Sequence, residues 1–166
     1  QPACSAALTV FAASRNRLDG AIPERIGACS ELTSLDLSYN ALNGHIPLSI
    51  SACERLGPIP SGIGRLTGLK GLHVVSNMLQ GTIPASIGCC VRLDQVYLSY
   101  NGLVCEIPGS LGNARHLRAL DLAGNNLVGT LPKEFKGLER LDELLLSGNE
   151  IVLPDGFADD CYGCVE

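Results

Sequence analysis

Eight cysteines and three histidines are the residues of this chain whose chemistry could bind a metal or form cross-links. Cys161 and Cys164 form a Cys-x-x-Cys pair that is either part of a tail or a short cap disulfide. Zinc would need a second pair of ligands, and the histidines, His45, His73 and His116, occupy unrelated positions in the repeat described below. We therefore expect no metal site and no cofactor.

Side chains that could act in catalysis do not show the spacing that catalysis requires. The stretch GIGRLTGLK at 62–70 lacks the Gly-Lys step that follows four intervening residues in a phosphate-binding loop. No set of Ser, His and Asp lies on a nucleophile-elbow motif. We predict that the chain is not an enzyme.

Composition narrows the class of protein further. The 166 residues are 46% hydrophobic, and 19 glycines, 9 prolines and few aromatic residues favour many short elements joined by tight turns. A net charge of −5, without a basic block or an Arg-rich stripe, argues against nucleic-acid binding. No apolar run is long enough to cross a bilayer, and the start QPACSAALTV does not read as a signal peptide, so we expect no membrane contact by this segment itself.

The elements that must position these side chains are copies of one repeat. The phrase LxxLxLxxNxLxGxIPxxIGxxxxL recurs, and four of the five gaps between its asparagines are 24 residues long. The alternating LxL, as in Leu35 and Leu37, is typical of a strand with one buried face that needs a neighbouring copy. The amide after it can satisfy turn backbone, so we predict a structural ladder of asparagines. Its members are Asn16, Asn40, Asn77, Asn101, Asn125 and Asn149.

Repeat position also assigns most of the cysteines. Cys29, Cys53 and Cys90 share a position that Leu66 and Leu138 occupy in other copies, so we expect them to be free thiols in the core. Two further cysteines do not follow this pattern. Cys105 replaces the turn glycine and Cys89 precedes the buried position, so both are candidates for exposed, reactive thiols.

The 24-residue phrase resembles the plant-type extracellular leucine-rich repeat from Leu8 to about Pro154. The resemblance implies an α/β right-handed solenoid, with about six short parallel strands on the concave face and 3₁₀ turns and short extended segments on the convex face. We interpret 1–166 as a single solenoid domain. Its repeats are about 8–31, 32–55, a truncated half-repeat at 56–68, 69–92, 93–116, 117–140 and a degenerate last coil at 141–166.

One gap departs from the period. From Asn40 to Asn77 is 37 residues, which is eleven short of two repeats, and the missing part is one strand with its asparagine. Either the sheet has a gap or the flanking strands pair directly. An unpaired edge in mid-sheet would leave backbone groups unsatisfied, so we predict one continuous six-stranded sheet with residues 57–69 looped out on the convex side.

In the family that the repeat resembles, ligands contact strand residues that point away from the core. Alternation along the strands identifies the matching side chains here, and tyrosines with a few charges are typical of interface anchors. The alternative is a solvated face inside a longer array. The candidate residues are Asp36, Tyr39, His73, Tyr97, Tyr100 and Asp121.

Some receptors of this family bind the C-terminal carboxylate of a peptide through an Arg-x-Arg pair on the concave face. Arg15 and Arg17 flank Asn16 and do not match those columns, so the resemblance disfavours a ligand held mainly by its free C-terminus.

The resemblance implies a non-catalytic module that binds a peptide or protein ligand and a co-receptor. It would belong to the ectodomain of a plant receptor-like kinase or receptor-like protein, at the apoplastic face of the plasma membrane, although the chain contains no Asn-x-Ser/Thr glycosylation site. The alternatives are a secreted inhibitor of a cell-wall-degrading enzyme, similar to polygalacturonase inhibitors, and a structural spacer within an array.

Overall fold

A computed structural model describes residues 7–47, 66–155 and 157. Each coil contributes two short strands, one before and one after its asparagine. Within the described residues, the twelve strands in chain order are β1 (Val10–Ala12), β2 (Asp19–Ala21), β3 (Ser34–Asp36), β4 (Ala41–His45), β5 (Gly71–His73), β6 (Met78–Gly81), β7 (Gln95–Tyr97), β8 (Gly102–Cys105), β9 (Ala119–Asp121), β10 (Asn126–Thr130), β11 (Glu143–Leu145) and β12 (Glu150–Val152).

The odd-numbered strands form the concave sheet, which is parallel and follows chain order from β1 to β11. Across the short repeat, β3 pairs directly with β5, with Leu35 opposite Leu72. The prediction of one continuous six-stranded sheet is confirmed. In the odd-numbered strands from β3 to β11, the middle residue is buried in the core.

The expectation that residues 57–69 loop out is wrong for the last part of that range. Leu66 and Leu69 are fully buried, and the Leu69 N–H donates to the Leu66 carbonyl at 3.0 Å. Leu66 fills the core position that Cys29 and Cys90 fill in other coils, because each coil needs an apolar side chain there before the next strand begins. Residues 57–65 lie outside the described part.

The even-numbered strands form a second parallel sheet, in the order β12-β10-β8-β6-β4-β2. The sequence predicts only short extended segments on the convex face, so this second sheet is a correction. The turn glycines lie inside these strands with positive φ, from 75° at Gly44 to 87° at Gly129, and Cys105 adopts 68° at the equivalent position. The even-numbered strands from β2 to β10 each contain one left-handed residue, and glycine recurs there because it adopts this conformation without strain.

In the described part of the chain, four 3₁₀ helices return the backbone along the convex side, each directly after a proline whose φ lies between −59° and −69°. They are Glu24–Ala28, Ala85–Cys89, Gly109–Asn113 and Lys133–Gly137. Glycine recurs in them because successive coils come close together. A Cβ on Gly88 would overlap the Ser110 carbonyl, and one on Gly112 would lie 2.9 Å from the Glu134 carbonyl oxygen.

The asparagines after the concave strands connect each coil to the one before it. The Asn125 amide nitrogen donates to the Leu122 carbonyl of its own coil at 2.9 Å and to the Leu98 carbonyl of the preceding coil at 3.2 Å. Its oxygen accepts the Leu103 N–H at 3.1 Å. Asn40, Asn77, Asn101 and Asn149 repeat this pattern. These bonds satisfy strand-end and turn backbone that lies beyond the reach of either sheet.

Burial and bonding correct the assignment of the cysteines. Cys29 is fully buried, as expected, but it is disulfide-bonded and is not a free thiol. Cys89 is half-buried and also disulfide-bonded, so it is not a reactive thiol. The position of a cysteine in the repeat predicts its burial, whereas a disulfide requires a second cysteine sulfur within bonding distance.

The remaining cysteines behave as their positions indicate or lie outside the described residues. Cys90 keeps its thiol, and burial raises its pKa to about 12. Cys105 is an exposed free thiol. Cys53, Cys161 and Cys164 lie outside the described part, so the cap disulfide stays a prediction. Within residues 7–47 and 66–155, no helix has the length and apolarity to cross a bilayer.

Candidate ligand-binding face

The last residues of the concave strands form a row across the sheet. Parallel pairing places Asp36 opposite His73, His73 opposite Tyr97, and Tyr97 opposite Asp121. The short repeat is the reason for the first of these pairs, because β5 is the direct neighbour of β3. Four of the six candidate side chains therefore follow one another on four adjacent strands.

An aromatic pair lies at the centre of this row. The rings of His73 and Tyr97 stack with centroids 4.8 Å apart and an interplanar angle of 30°. The His73 Nε2 atom is buried and has no hydrogen-bond partner in the part of the chain that the structure describes. Partial burial raises the pKa of Tyr97, and the nearby carboxylates of Glu143, Asp121 and Asp94 raise it further.

The two carboxylates of the row also hold the turns that follow their strands. Asp36 Oδ1 accepts the Ser38 N–H, and Asp121 Oδ1 accepts the Ala123 N–H, both at 3.0 Å. The Ser99 hydroxyl donates to Asp121 Oδ2 at 2.5 Å. Much of the bonding capacity of these carboxylates is therefore used within the protein, which reduces what either can offer a ligand.

The pKa of Asp36 shows the same structural role. Desolvation on burial would raise this pKa, but the bonds from the Ser38 N–H and from the hydroxyls of Ser38 and Ser14, together with the nearby His73, outweigh it. The pKa of Asp36 is lowered as a result, and the carboxylate stays ionised at neutral pH.

A second row consists of the residues directly before the asparagines, and all six have a left-handed backbone. Tyr39 and Tyr100 have φ of 56° and 55°, and their side chains are 49% and 64% exposed. The Arg15 guanidinium lies over the Tyr39 ring, 4.9 Å from its centroid. A Cβ on Gly124 would lie 2.7 Å from Tyr100 Cδ1, so the Tyr100 ring rests on the backbone of the next coil.

The structure also reveals a basic cavity that the sequence analysis missed. It has a volume of about 550 Å³ and lies where the concave strands begin. The side chains that line this cavity are Lys70, Arg92, Asp94, His116, Arg118 and Arg140. The cations lie seven or nine residues before an asparagine, so a comparison of those positions across the repeats would have identified them. The 24-residue period separates them along the sequence. The sequence contains no continuous Arg-rich stripe, but the fold brings these separate cations together.

Taken together, the face offers stacked and exposed rings, two carboxylates and a row of cations. In the described part of the chain, no group of three or more His, Cys, Asp or Glu side chains is arranged to hold a metal ion. Rings at fixed positions with charges around them favour recognition of a partner surface.

Two family models, both described as leucine-rich repeat, match residues 108–151 and 31–53. No curated protein matches the chain. Among solved structures, the plant peptide hormone receptor RGFR1 in complex with RGF2 is similar, with 37% identity over 89% of this chain and a TM-score of 0.77. The Arabidopsis receptor kinase HAESA, in complex with the peptide hormone IDA and the co-receptor SERK1, is 32% identical over 88% of this chain, also with a TM-score of 0.77.

The chain spans about a fifth of the length of these two receptors, 21% of RGFR1 and 22% of HAESA. It corresponds to a larger share of a shorter protein. A chain from the Arabidopsis thaliana BIR3–SERK2 complex is 33% identical, over 94% of this chain and 73% of that one, with a TM-score of 0.70.

Proposed function

This chain belongs to the leucine-rich-repeat family, in the form found in the ectodomains of plant receptor kinases, and we propose that it is a non-catalytic module that recognises a peptide or protein ligand. The chain would form part of the ectodomain of a receptor-like kinase or a receptor-like protein. The ligand would contact the concave face at the His73–Tyr97 pair and at the exposed rings of Tyr39 and Tyr100.

The backbone of Tyr39 and Tyr100 is the observation that carries this proposal. Both have left-handed φ, where a residue with a Cβ costs about 1 to 2 kcal/mol more than glycine. Gly124 and Gly148 occupy the same column at 63° and 69° without that cost. Large, half-exposed rings at strained positions that glycine could fill are a pointer to function. Tyrosine is also among the residues that supply most binding energy at interfaces.

The neighbouring structures support the class of partner. RGFR1 and HAESA are in complex with peptide hormones, and HAESA also with the co-receptor SERK1. We propose a peptide or protein ligand, with a co-receptor as the second partner, and an extracellular location. The disulfide bonds of Cys29 and Cys89 favour that location, since disulfides persist in oxidising compartments. No specific observation favours the secreted-inhibitor alternative.

A displayed library of random twelve-residue peptides tests the proposal without assuming the sequence of the ligand. Peptides selected on the wild-type chain are titrated against Tyr97→Ala/Tyr100→Ala, and we expect affinity to fall about tenfold or more, since each ring is an anchor. The matched control is Val91→Ala/Val128→Ala, which truncates two exposed apolar side chains away from the concave rows. A library that yields no binder, or binders with equal affinity for both variants, would contradict the proposal.

A further inference from the structure

We infer that the basic cavity at the start of the concave strands binds acidic side chains of an extended peptide. This inference rests on the proposed function, because it names the chemistry of the ligand. The cavity is formed by two columns of the repeat. Lys70, Asp94 and Arg118 directly precede β5, β7 and β9, while Arg92, His116 and Arg140 lie two residues earlier in their coils.

The side chains that line the cavity include more cations than anions. Four permanent cations line it with a single carboxylate, on a chain whose net charge is −5. The ion pair between Arg118 Nε and Asp94 Oδ1, at 3.4 Å, has side chains that are 61% and 40% exposed, so it adds little stability. Asp142 occupies the next coil, where its N–H donates to the Arg118 carbonyl at 2.8 Å. Concentrating like charges in one concave region attracts an anion from solution.

Backbone pairing sets the spacing of these cations. The Asp94 N–H donates to the Lys70 carbonyl, and the Arg118 N–H donates to the Asp94 carbonyl, both at 2.8 Å. Adjacent parallel strands are about 4.8 Å apart, which places the backbones of Lys70 and Arg118 about 10 Å apart. Three residues of a peptide in the extended polyproline II conformation span about 9 Å, and its three-residue turn brings side chains i and i+3 to the same face. Carboxylates three residues apart in such a segment therefore match the spacing of alternate coils.

The carboxylate of Asp94 favours a peptide over a uniform polyanion. Asp94 lines the middle of the cavity between the flanking cations. A polyuronate would carry a charge on every sugar and place one against Asp94, whereas a peptide can present a neutral residue there. Asp94 directly precedes β7, whose last residue is Tyr97, so the cavity and the aromatic pair lie at the two ends of the same short strand. A peptide could extend from one to the other without a break.

The test uses the full 166-residue chain and a fluorescein-labelled Gly/Ser peptide of twelve residues with Glu at every third position. A second peptide has Gln in place of Glu, and the third probe is an oligogalacturonate of equal charge. We expect the Glu peptide to bind about tenfold more tightly than the Gln peptide by fluorescence anisotropy, and this preference to shrink as salt is raised. Arg92→Gln/Arg140→Gln should weaken binding of the Glu peptide about fivefold. Arg17→Gln/Arg25→Gln removes the same charge from exposed positions elsewhere and should change it less than about twofold.

Three results would overturn the inference. They are equal affinity for the Glu and Gln peptides, equal losses in the two double variants, and tighter binding of the oligogalacturonate than of the Glu peptide. If binders from the random library still depend on Tyr97 and Tyr100, the proposed function survives such a result. If the Glu preference is present but the library yields no tyrosine-dependent binder, the failure belongs to the proposed function.

Discussion

Two neighbouring columns of the repeat, the asparagines and the residues directly before them, follow opposite rules. The asparagine is the same residue in all six coils, and in the five later coils its amide bonds to the preceding coil. The residue before it has a left-handed backbone in every coil, yet it is arginine, tyrosine, serine or glycine. One column is uniform because its side chain is used inside the solenoid. The other varies because its side chain points away from it.

The difference separates residues that hold the solenoid together from residues that can recognise a partner. A variable column tolerates substitution without loss of the backbone conformation, because the adjacent asparagine maintains the turn. Tyr39 and Tyr100 then stand out, since glycine would be the least strained residue at both positions. The predictions below challenge this separation, starting with the largest effect.

Replacing Asn125 with alanine should lower the free energy of unfolding by about 3 kcal/mol. The change leaves the buried Leu103 N–H without its partner, which costs about 1 to 3 kcal/mol. It also removes one of the two asparagine bonds that the Leu98 and Leu122 carbonyls each accept, while Asn101 and Asn149 still donate to them. Urea unfolding followed by circular dichroism measures it. The control is Asn16→Ala, because among the residues that the structure describes exposed Asn16 donates only to Ala13 and Ser14 of its own coil. Equal losses in both variants would show that the inter-coil bonds do not matter.

Gly124→Ala should destabilise the protein by about 2 kcal/mol. The new methyl group would meet the Tyr100 ring at 2.7 Å, and φ at this glycine is 63°. In a Tyr100→Gly background the clash disappears and only the backbone strain remains, so the same change should cost about 1 kcal/mol. Unfolding free energies of the four proteins complete the cycle. A cost that is unaffected by Tyr100→Gly would show that the ring does not rest on Gly124.

Cys105→Gly should raise the free energy of unfolding by up to about 1 kcal/mol. Cys105 has a φ of 68° at a position where four other coils have glycine, so the substitution relieves strain that exceeds the extra entropy of glycine in the unfolded chain. Thermal unfolding in reducing buffer measures the change. Val104→Gly, in the same strand but outside the positive-φ positions, should instead destabilise. Destabilisation by Cys105→Gly would mean that the thiol contributes packing that outweighs its strained backbone.

Asp36 is expected to give the smallest effect, as a dependence of stability on pH. Its pKa in the folded protein is lower than the ordinary value of 3.8, so its carboxylate contributes stability above about pH 4 that is lost as pH falls through the lowered pKa. Asp36→Asn should therefore lose less stability than wild type between pH 5 and pH 3. Asp19→Asn, at an exposed position, serves as the control. An equal loss of stability in wild type and Asp36→Asn over this pH range would show that the carboxylate does not have this structural role.

The concave sheet could be predicted from the sequence because its signal is local and repeated. The alternation of Leu35 and Leu37, with the count from Asn40 to Asn77, was enough to predict direct pairing across the short repeat. The second sheet was not predicted as strands. Its segments contain a left-handed glycine and end at Ile-Pro, which read as turns, and their hydrogen-bond partners come only from stacking of the coils.

Less of the candidate site could be predicted. Alternation placed Asp36, His73 and Tyr97 on one face, but the hydrogen bonds that Asp36 makes within its own turn depend on a backbone conformation that the sequence does not display. The basic cavity joins residues of several coils, such as Arg92 and Arg140, and the disulfide of Cys29 depends on distance in space. The cavity and the disulfide both depend on how the coils stack, so the sequence of a single repeat does not predict either of them.

The direct pairing of β3 with β5 has a consequence for how such a surface can diversify. The two strands meet in register although 34 residues separate the end of one from the start of the other, so the length of chain between strands is free to change while the sheet is preserved. The short repeat has one strand row fewer than two full repeats would have, which makes Asp36 and His73 neighbours in the sheet. A change in repeat length can therefore alter several neighbouring side chains of a binding surface at once, whereas a substitution alters one residue at a time.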